Sequence, residues 1–562
     1  MITVADPPAT RPRPAALARV HWLDVAVVML IVTYTLLLIP GLTRWPPLIN
    51  DEGREANLFW AASRVDPAAE RINAHRGFST WGNGGIQGFT AGLIFRALGV
   101  SVFTARLTSL VWSAGLLLAT YLLGRYYWGR AAGLAAIVLL AVSDAFLVSS
   151  HTLRPDIQVI TLALTAVLLA EIGVSRQQPR WLLLAGYLLG LGFDVHPNTL
   201  GLMPMIGAVL LVRQGWGFWR EWHLRFLIGG LVLAAVQYLL FRFVPDPAGF
   251  LGGLQYWVGV DKAPPAGRVG GGGVSTLLSN ELARYWDYFG EEPLELSMVA
   301  IGLLAGLWWA NRGDRGARII WLGLIAEAVF FVVAVSTKSK YYMLLTYPFF
   351  VLFLGRVAQE VSFGWLSRAR PHPNPPRARG GSAIDQTLES GPLPAHRQGW
   401  SGVSFGRSSY GKRAIAASAV FIALIALAVY FPLKGEDRAW ENYIRARRYR
   451  AGQEYTQLTA RLDELAGPGA RILAPPVYWI GLKGHPYTDI YVFERLSRQM
   501  NMSPGHFLEE TRPDIVITDA KIATDRRIQR LLYNELDARS KVELVVRHKN
   551  YGDVAIYRLH WN

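Results

Sequence analysis

The sequence predicts a polytopic α-helical membrane protein, with about eleven transmembrane helices and a C-terminal extracytoplasmic α/β domain. Three observations predict it. Long apolar runs recur between short loops. Arginine and lysine alternate in abundance from one loop to the next. The helical hydrophobic pattern gives way after residue 432 to short strand-like segments.

Composition agrees. Of 562 residues, 52% are hydrophobic and 17% charged, with a mean hydropathy of +0.23; soluble domains are about a quarter charged. The chain has no cysteine, which excludes disulfides, thiolate metal sites and cysteine nucleophiles.

A spanning helix needs about 20 mostly apolar residues. Candidate spans cover 22–41, 103–124, 131–149, 157–173, 181–195, 197–212, 226–244, 294–310, 319–336, 341–360 and 413–432. The first has no small-residue cleavage site after it and reads as a retained anchor. With the N-terminus cytoplasmic, inner segments hold Arg125 and Arg130, Arg176 and Arg180, Arg213, Arg220 and Arg225, then Arg312, Arg315 and Arg318. Short outer loops hold few cations, among them Arg154, Lys338 and Lys340. This positive-inside bias accounts for most of the net charge of +16 and argues against a nucleic-acid partner.

The organisation is then a cytoplasmic tail (1–21), a transmembrane domain (22–361) with outer loops at 42–100 and 245–293, and a disordered basic cytoplasmic insertion (362–412). The last span (413–432) and the outer α/β domain (433–562) follow. In the first outer loop, 51–64 reads as an interfacial helix and 83–98 as a second interfacial or half-inserted one. The second holds the flexible run Arg268-Val-Gly-Gly-Gly-Gly-Val274, which suits either a mobile lid or a plain linker. The insertion is rich in Pro, Gly, Ser and Arg. Its Gly406–Arg413 stretch imitates a phosphate loop, but Arg413 replaces the metal-binding Ser or Thr. In the last domain, 470–474, 514–518, 542–546 and 554–558 read as strands, with helices near 448–466 and 524–538. That domain carries no catalytic signature. Its expected role is to cover the membrane site or recruit an acceptor.

Unusual polar groups collect on the predicted outer face: Asp51-Glu52, His75, Ser150–Asp156 with His151, Arg154 and Asp156, Asp194–Asn198 with His196, Glu291-Glu292, and Lys338–Tyr342 with Lys340, Tyr341 and Tyr342. Each has a plain explanation. Acids after Asn50 suit a helix N-terminus. Asp156 caps the next helix, His196 sits at a helix break, and the lysines snorkel. Their one-sidedness suggests instead a single outer site. Glycosyl transfer from a lipid-carried sugar would use such a set. The leaving phosphate needs cations, for which Arg154, Lys338 and Lys340 are candidates. The acceptor hydroxyl needs a carboxylate to take its proton. Asp51 is the expected general base, with Glu52 and Asp156 as further catalytic acids. His151, His196, Tyr341 and Tyr342 are expected to bind substrate. Alternatives are a transporter or flippase of lipid-linked sugars, for which Glu327 is the main deep acid, and a non-catalytic envelope assembly protein.

Asp51-Glu52, Ala105-Arg-Leu-Thr-Ser109, Tyr121-Leu-Leu-Gly-Arg125, Leu153-Arg-Pro-Asp156 and Lys340-Tyr-Tyr-Met-Leu-Leu-Thr-Tyr-Pro348 stand in an order that resembles the protein O-mannosyltransferase and aminoarabinose transferase superfamily, lipid-linked-sugar transferases of the C fold class. The resemblance covers roughly residues 20–360. It implies that the first-loop Asp is the catalytic acid or base. It also implies a polyprenyl-phosphate sugar donor, a glycan, lipid or protein acceptor, and a multi-pass protein of the bacterial plasma membrane. No cofactor is required, though a divalent metal is possible. Where many relatives carry Lys-Pro-Pro, this chain has Gly82-Asn-Gly-Gly-Ile-Gln-Gly88.

Overall fold

A computed structural model describes residues 22–64, 85–244, 274–289, 293–334, 342–369, 451–491 and 503–561. The 413–432 span, the glycine run at 270–273, His75, Glu291, Glu292, Lys338, Lys340 and Tyr341 lie outside the described residues, as does the insertion from residue 370 onward.

Ten of the eleven predicted stretches are helical. In chain order the membrane part comprises α1 (Trp22–Leu38), α2 (Asn50–Arg64), α3 (Gly85–Leu98), α4 (Val102–Trp128), α5 (Arg130–Ala141), α6 (Asp144–Ser150) and α7 (Asp156–Arg176). It continues with α8 (Pro179–Val195), α9 (Thr199–Gln214), α10 (Trp222–Tyr238), α11 (Val274–Phe289), α12 (Pro293–Asn311), α13 (Arg315–Ala334) and α14 (Met343–Ala369). Seven helices among the described residues are long and apolar enough to cross a membrane, or eight if a bent pair forms one span.

Three sequence expectations need correction. The 131–149 span is broken into α5 and α6, which bend by 69°. Ser143 starts a new helix there, its hydroxyl accepting from the Phe146 N–H. The 245–293 loop contains α11, whose Leu278, Leu282 and Trp286 are exposed at i, i+4 and i+8 while Glu281, Tyr288 and Phe289 are buried. That amphipathic face is what an interfacial helix shows. Finally, α14 runs to Ala369, into residues assigned to the insertion.

α7 is the most enclosed span, and α1 and α10 are the least. Exposed apolar side chains such as Val28, Met29, Val232 and Val236 form the kind of outer face that lipid covers. α8 and α10 cross at closest approach through glycines: a Cβ on Gly186 would lie 2.0 Å from the Leu227 carbonyl, and one on Gly230 would lie 2.0 Å from that of Leu183. Small residues let spanning backbones meet this way.

At one end of the bundle the arginines assigned to inner loops find acids. Asp24 accepts from Tyr121 at 2.6 Å and pairs with Arg125 at 2.9 Å and Arg130 at 3.1 Å. Buried Glu171 accepts from Arg213 Nε at 2.9 Å and Tyr127 at 3.1 Å. Asp314 pairs with Arg356 and accepts from Trp128 at 3.3 Å. These pairs tie helix ends together and are satisfied among themselves.

At the other end lies the C-terminal domain: α15 (Ala451–Ala466), β1 (Ile472–Ala474), β2 (Tyr487–Asp489), α16 (Pro504–Thr511), β3 (Ile515–Thr518), α17 (Arg526–Arg539), β4 (Ser540–His548) and β5 (Gly552–Leu559). The five-stranded sheet runs β2-β1-β3-β5-β4, with β1 parallel to β2 and β3 and the β4–β5 hairpin antiparallel. Alternate residues face opposite sides. Leu473 and Val516 pack with Phe507, Ile528 and Leu532. Ile472 and Ile515 share a core with Tyr455 and Leu458, and also with Leu48, Phe59 and Phe95 of the first-loop segment. The domain is therefore seated on α2 and α3 by a common apolar core. Contact is tight at one point, where a Cβ on Gly53 would lie 1.9 Å from the Pro476 carbonyl oxygen.

Candidate active site

The predicted polar residues converge where α2, the α6–α7 turn, the α8–α9 turn and the start of α14 meet. Arg154 is the centre. Its side chain is 8% exposed. Nε donates to Asp156 Oδ2 at 2.8 Å and Nη1 to Asp51 Oδ2 at 2.6 Å. Burial works against its charge, but Asp156 and Asp51 outweigh burial and hold the guanidinium pKa above its ordinary value. Its Cζ lies 5.9 Å from the Tyr342 ring centroid, within cation–π range. The local chain explains the placement. The Arg154 N–H donates to the Thr152 carbonyl at 2.9 Å, Pro155 precedes the first helical residue, and Asp156 opens α7.

Asp51 keeps a 47% exposed side chain. Asp156 is buried against Arg154, so it is a clamp for the guanidinium and not a second substrate-facing acid. His196 ends α8, accepts the Asn198 N–H at Nδ1 at 3.2 Å, and lies 6.2 Å from the Tyr342 ring. Burial, with Arg154 adding to it against the pull of Asp156 and Asp51, lowers its pKa.

Glu52 takes a different part from the catalytic one expected of it. Oε1 accepts from Arg106 Nε at 2.8 Å and the Leu153 N–H at 3.1 Å; Oε2 accepts from Arg106 Nη2 at 2.9 Å and the Ile49 N–H at 3.2 Å. Both side chains are 1% exposed, and Arg106 Nη1 donates to the Leu42 carbonyl at 3.0 Å. This buried fork joins α2, α4 and the turn before α7, leaving Glu52 no free face toward substrate. His151 also departs from expectation. It is buried, its Nδ1 lies 2.9 Å from both the Leu147 carbonyl and the Ser150 hydroxyl, and its ring stands edge-on to Trp45 at 5.8 Å. These contacts are with α6 and Trp45 and not with Asp51 or Arg154.

Sequence reasoning passed over Arg54 and Asp489. Arg54 Nη1 lies 3.5 Å from Asp51 Oδ1, and its Nε lies 3.8 Å from Asp489 Oδ2 at the end of β2. The i,i+3 spacing from Asp51 was a usable signal for the first contact; nothing local pointed to the second. Arg106 stands inside the quoted Ala105–Ser109 motif, whose purpose the Glu52 pair supplies. Asp194 lies against the first turn of α3, where a Cβ on Gly85, itself at φ +40°, would fall 1.6 Å from Asp194 Oδ2. Among the described residues no three His, Asp or Glu side chains converge as a metal site.

Residues 86–241 match the family model described as dolichyl-phosphate-mannose-protein mannosyltransferase. No curated protein matches the chain in sequence. Among solved structures the chain is similar to ArnT from Cupriavidus metallidurans bound to undecaprenyl phosphate, with a TM-score of 0.56 and 14% identity over 95% of this chain and 98% of that one. The apo state of the same enzyme gives 0.53 at 13% identity, with 95% and 98% coverage. The apo Archaeoglobus fulgidus oligosaccharyltransferase gives 0.50 at 13% identity over 94% of this chain and 74% of that one. The fold is that of the C-class membrane glycosyltransferases, as the aminoarabinose-transferase resemblance implies.

Proposed function

We propose that the protein moves a sugar from a polyprenyl-phosphate carrier to an acceptor hydroxyl on the outer face of the plasma membrane, with Asp51 as general base. The observation that carries this reading is the contrast between neighbours. Glu52 is saturated and buried, whereas Asp51 is held through one oxygen by a buried arginine, faces Arg54 at 3.5 Å with the other, and keeps a 47% exposed side chain. A carboxylate fixed in direction but not enclosed suits proton abstraction.

In the step proposed, the acceptor oxygen attacks the anomeric carbon as the bond from that carbon to the phosphate oxygen breaks. The acceptor proton passes to Asp51, and the electron pair leaves with the lipid phosphate. Attack opposite the leaving group inverts the anomeric centre. Arg154, locked by Asp156, sets the direction of Asp51. Tyr342 and His196 wall the same space and present polar groups to a sugar. Lys338 and Lys340, which precede Tyr342 in the chain, are the cations this reading assigns to the phosphate. ArnT bound to undecaprenyl phosphate supports a lipid phosphate as donor carrier. The acceptor is a glycan, lipid or protein hydroxyl.

The test presents purified full-length protein in lipid vesicles with undecaprenyl-phosphate carrying mannose, glucose, galactose or 4-amino-4-deoxyarabinose, and a mixed envelope glycolipid extract as acceptor. Transfer from one of them with inverted anomeric configuration by NMR is expected. A retained configuration contradicts the single displacement, and no turnover of any donor contradicts the proposed chemistry.

A further inference from the structure

The C-terminal domain reaches the site through one carboxylate, which faces a cation of α2. Asp489 ends β2, at the carboxyl edge of the parallel strands. Its Oδ1 accepts the Tyr491 N–H at 2.9 Å, and its Oδ2 faces Arg54 Nε at 3.8 Å. Two further contacts fix this edge against α2: Asn50 Nδ2 donates to the Tyr491 hydroxyl at 3.0 Å, and the Val477 N–H donates to Asn50 Oδ1 at 3.3 Å. Arg54 therefore stands between two carboxylates, 3.5 Å from Asp51 Oδ1 and 3.8 Å from Asp489 Oδ2. Neither contact is a hydrogen bond, and the buried Nε has no hydrogen-bond partner. Burial opposes the charge on Arg54; Asp489 and then Asp51 sustain it.

One guanidinium shared by two anions is withheld in part from each. Asp51 already gives one oxygen to Arg154. If Arg54 closed fully on the other, both oxygens would be tied. We propose that Asp489 is a positioning residue for the transfer reaction, drawing Arg54 toward the C-terminal domain and so keeping the second oxygen of Asp51 open to the acceptor. The inference rests on the reading of Asp51 as the base. It gives the C-terminal domain a definite role, since a domain seated differently on α2 would release Arg54 to Asp51.

Charged and titratable groups near Asp51 are Arg54, Arg154, Asp156, His196 and Tyr342, while Glu55, Asp489 and Tyr491 act on Arg54. Asp489→Asn removes only one of these charges. The test is carbodiimide labelling of Asp51 in the full-length protein at pH 6, trapped with glycine ethyl ester and read by peptide mass spectrometry. Because the reagent needs a protonated, accessible carboxyl, Asp489→Asn should slow labelling about two- to fivefold, the worth of one partly exposed ion pair. Asp489→Glu should restore it, and Asp489→Asn should have no effect in an Arg54→Gln background. Unchanged labelling in Asp489→Asn, or the faster labelling that an undocked domain would give, overturns the inference. The readout does not need turnover. Loss of transfer by Asp51→Asn with unchanged labelling in Asp489→Asn refutes this inference alone; retained transfer by Asp51→Asn refutes the base assignment instead.

Discussion

Glu52→Gln is the perturbation that separates anchoring from catalysis. The substitution keeps size and shape but removes the charge opposite Arg106, which is 1% exposed. Four donors now converge on Glu52: two from Arg106 and the N–H groups of Ile49 and Leu153. An amide offers one acceptor oxygen in place of two, so at least one buried donor loses its partner and the guanidinium loses its counter-ion. Breaking a buried pair on one side costs about 3–5 kcal/mol. Replacing both members by apolar residues of like volume is often close to neutral, so Glu52→Leu with Arg106→Met should recover the part of the loss owed to the unpaired charge, while the Ile49 and Leu153 N–H groups still lack an acceptor. The assay is urea unfolding of detergent-solubilised protein followed by tryptophan fluorescence. A Glu52→Gln variant of unchanged midpoint that nevertheless abolishes transfer would show Glu52 to be catalytic, and the anchoring argument would fail.

Three further outcomes are expected. Gly53→Ala places a methyl where only 1.9 Å separates it from the Pro476 carbonyl oxygen, so the C-terminal domain should be lifted from α2; faster trypsin release of a fragment beginning near residue 451 would show it, and an unchanged digest would contradict it. Arg154→Lys keeps the charge but cannot reach Asp51 and Asp156 with one fork, and should lower kcat about tenfold or more for a misdirected base with little change in KM; wild-type kcat would refute the clamp. His196 has a lowered pKa in the fold, so the unfolded state takes up a proton first as pH falls below about 6.5. Its contribution is present at neutral pH and declines from there toward the lower folded value. His196→Gln should flatten the fall in unfolding midpoint between pH 7 and 5, and an identical slope would refute this.

Much of the fold was legible because bilayer thickness sets the length of an apolar run, and because loop arginines mark one side. The same marking assigns Asp51, Arg154, Asp156, His196 and Tyr342 to one end. What stayed hidden depends on partners remote in sequence. Glu52 looks like the twin of Asp51 until Arg106, fifty-four residues away, is seen to consume it. The break at Ser143 is marked only by the pair Ser143-Asp144 within an otherwise apolar stretch, and a window average of hydropathy passes over it. The apolar stripe of α11 is too narrow to register as a span. β2, three residues long, shows no period, and so the Asp489 contact with Arg54 had no signature.

The measurement that tests the central claim most directly is the rate of sugar transfer by Asp51→Asn beside wild type, with both proteins shown to unfold at the same urea midpoint. A general base contributes about 10²–10⁴-fold, so the account predicts a loss in that range in kcat with the fold intact. Transfer by a fully folded Asp51→Asn at near wild-type rate would contradict it.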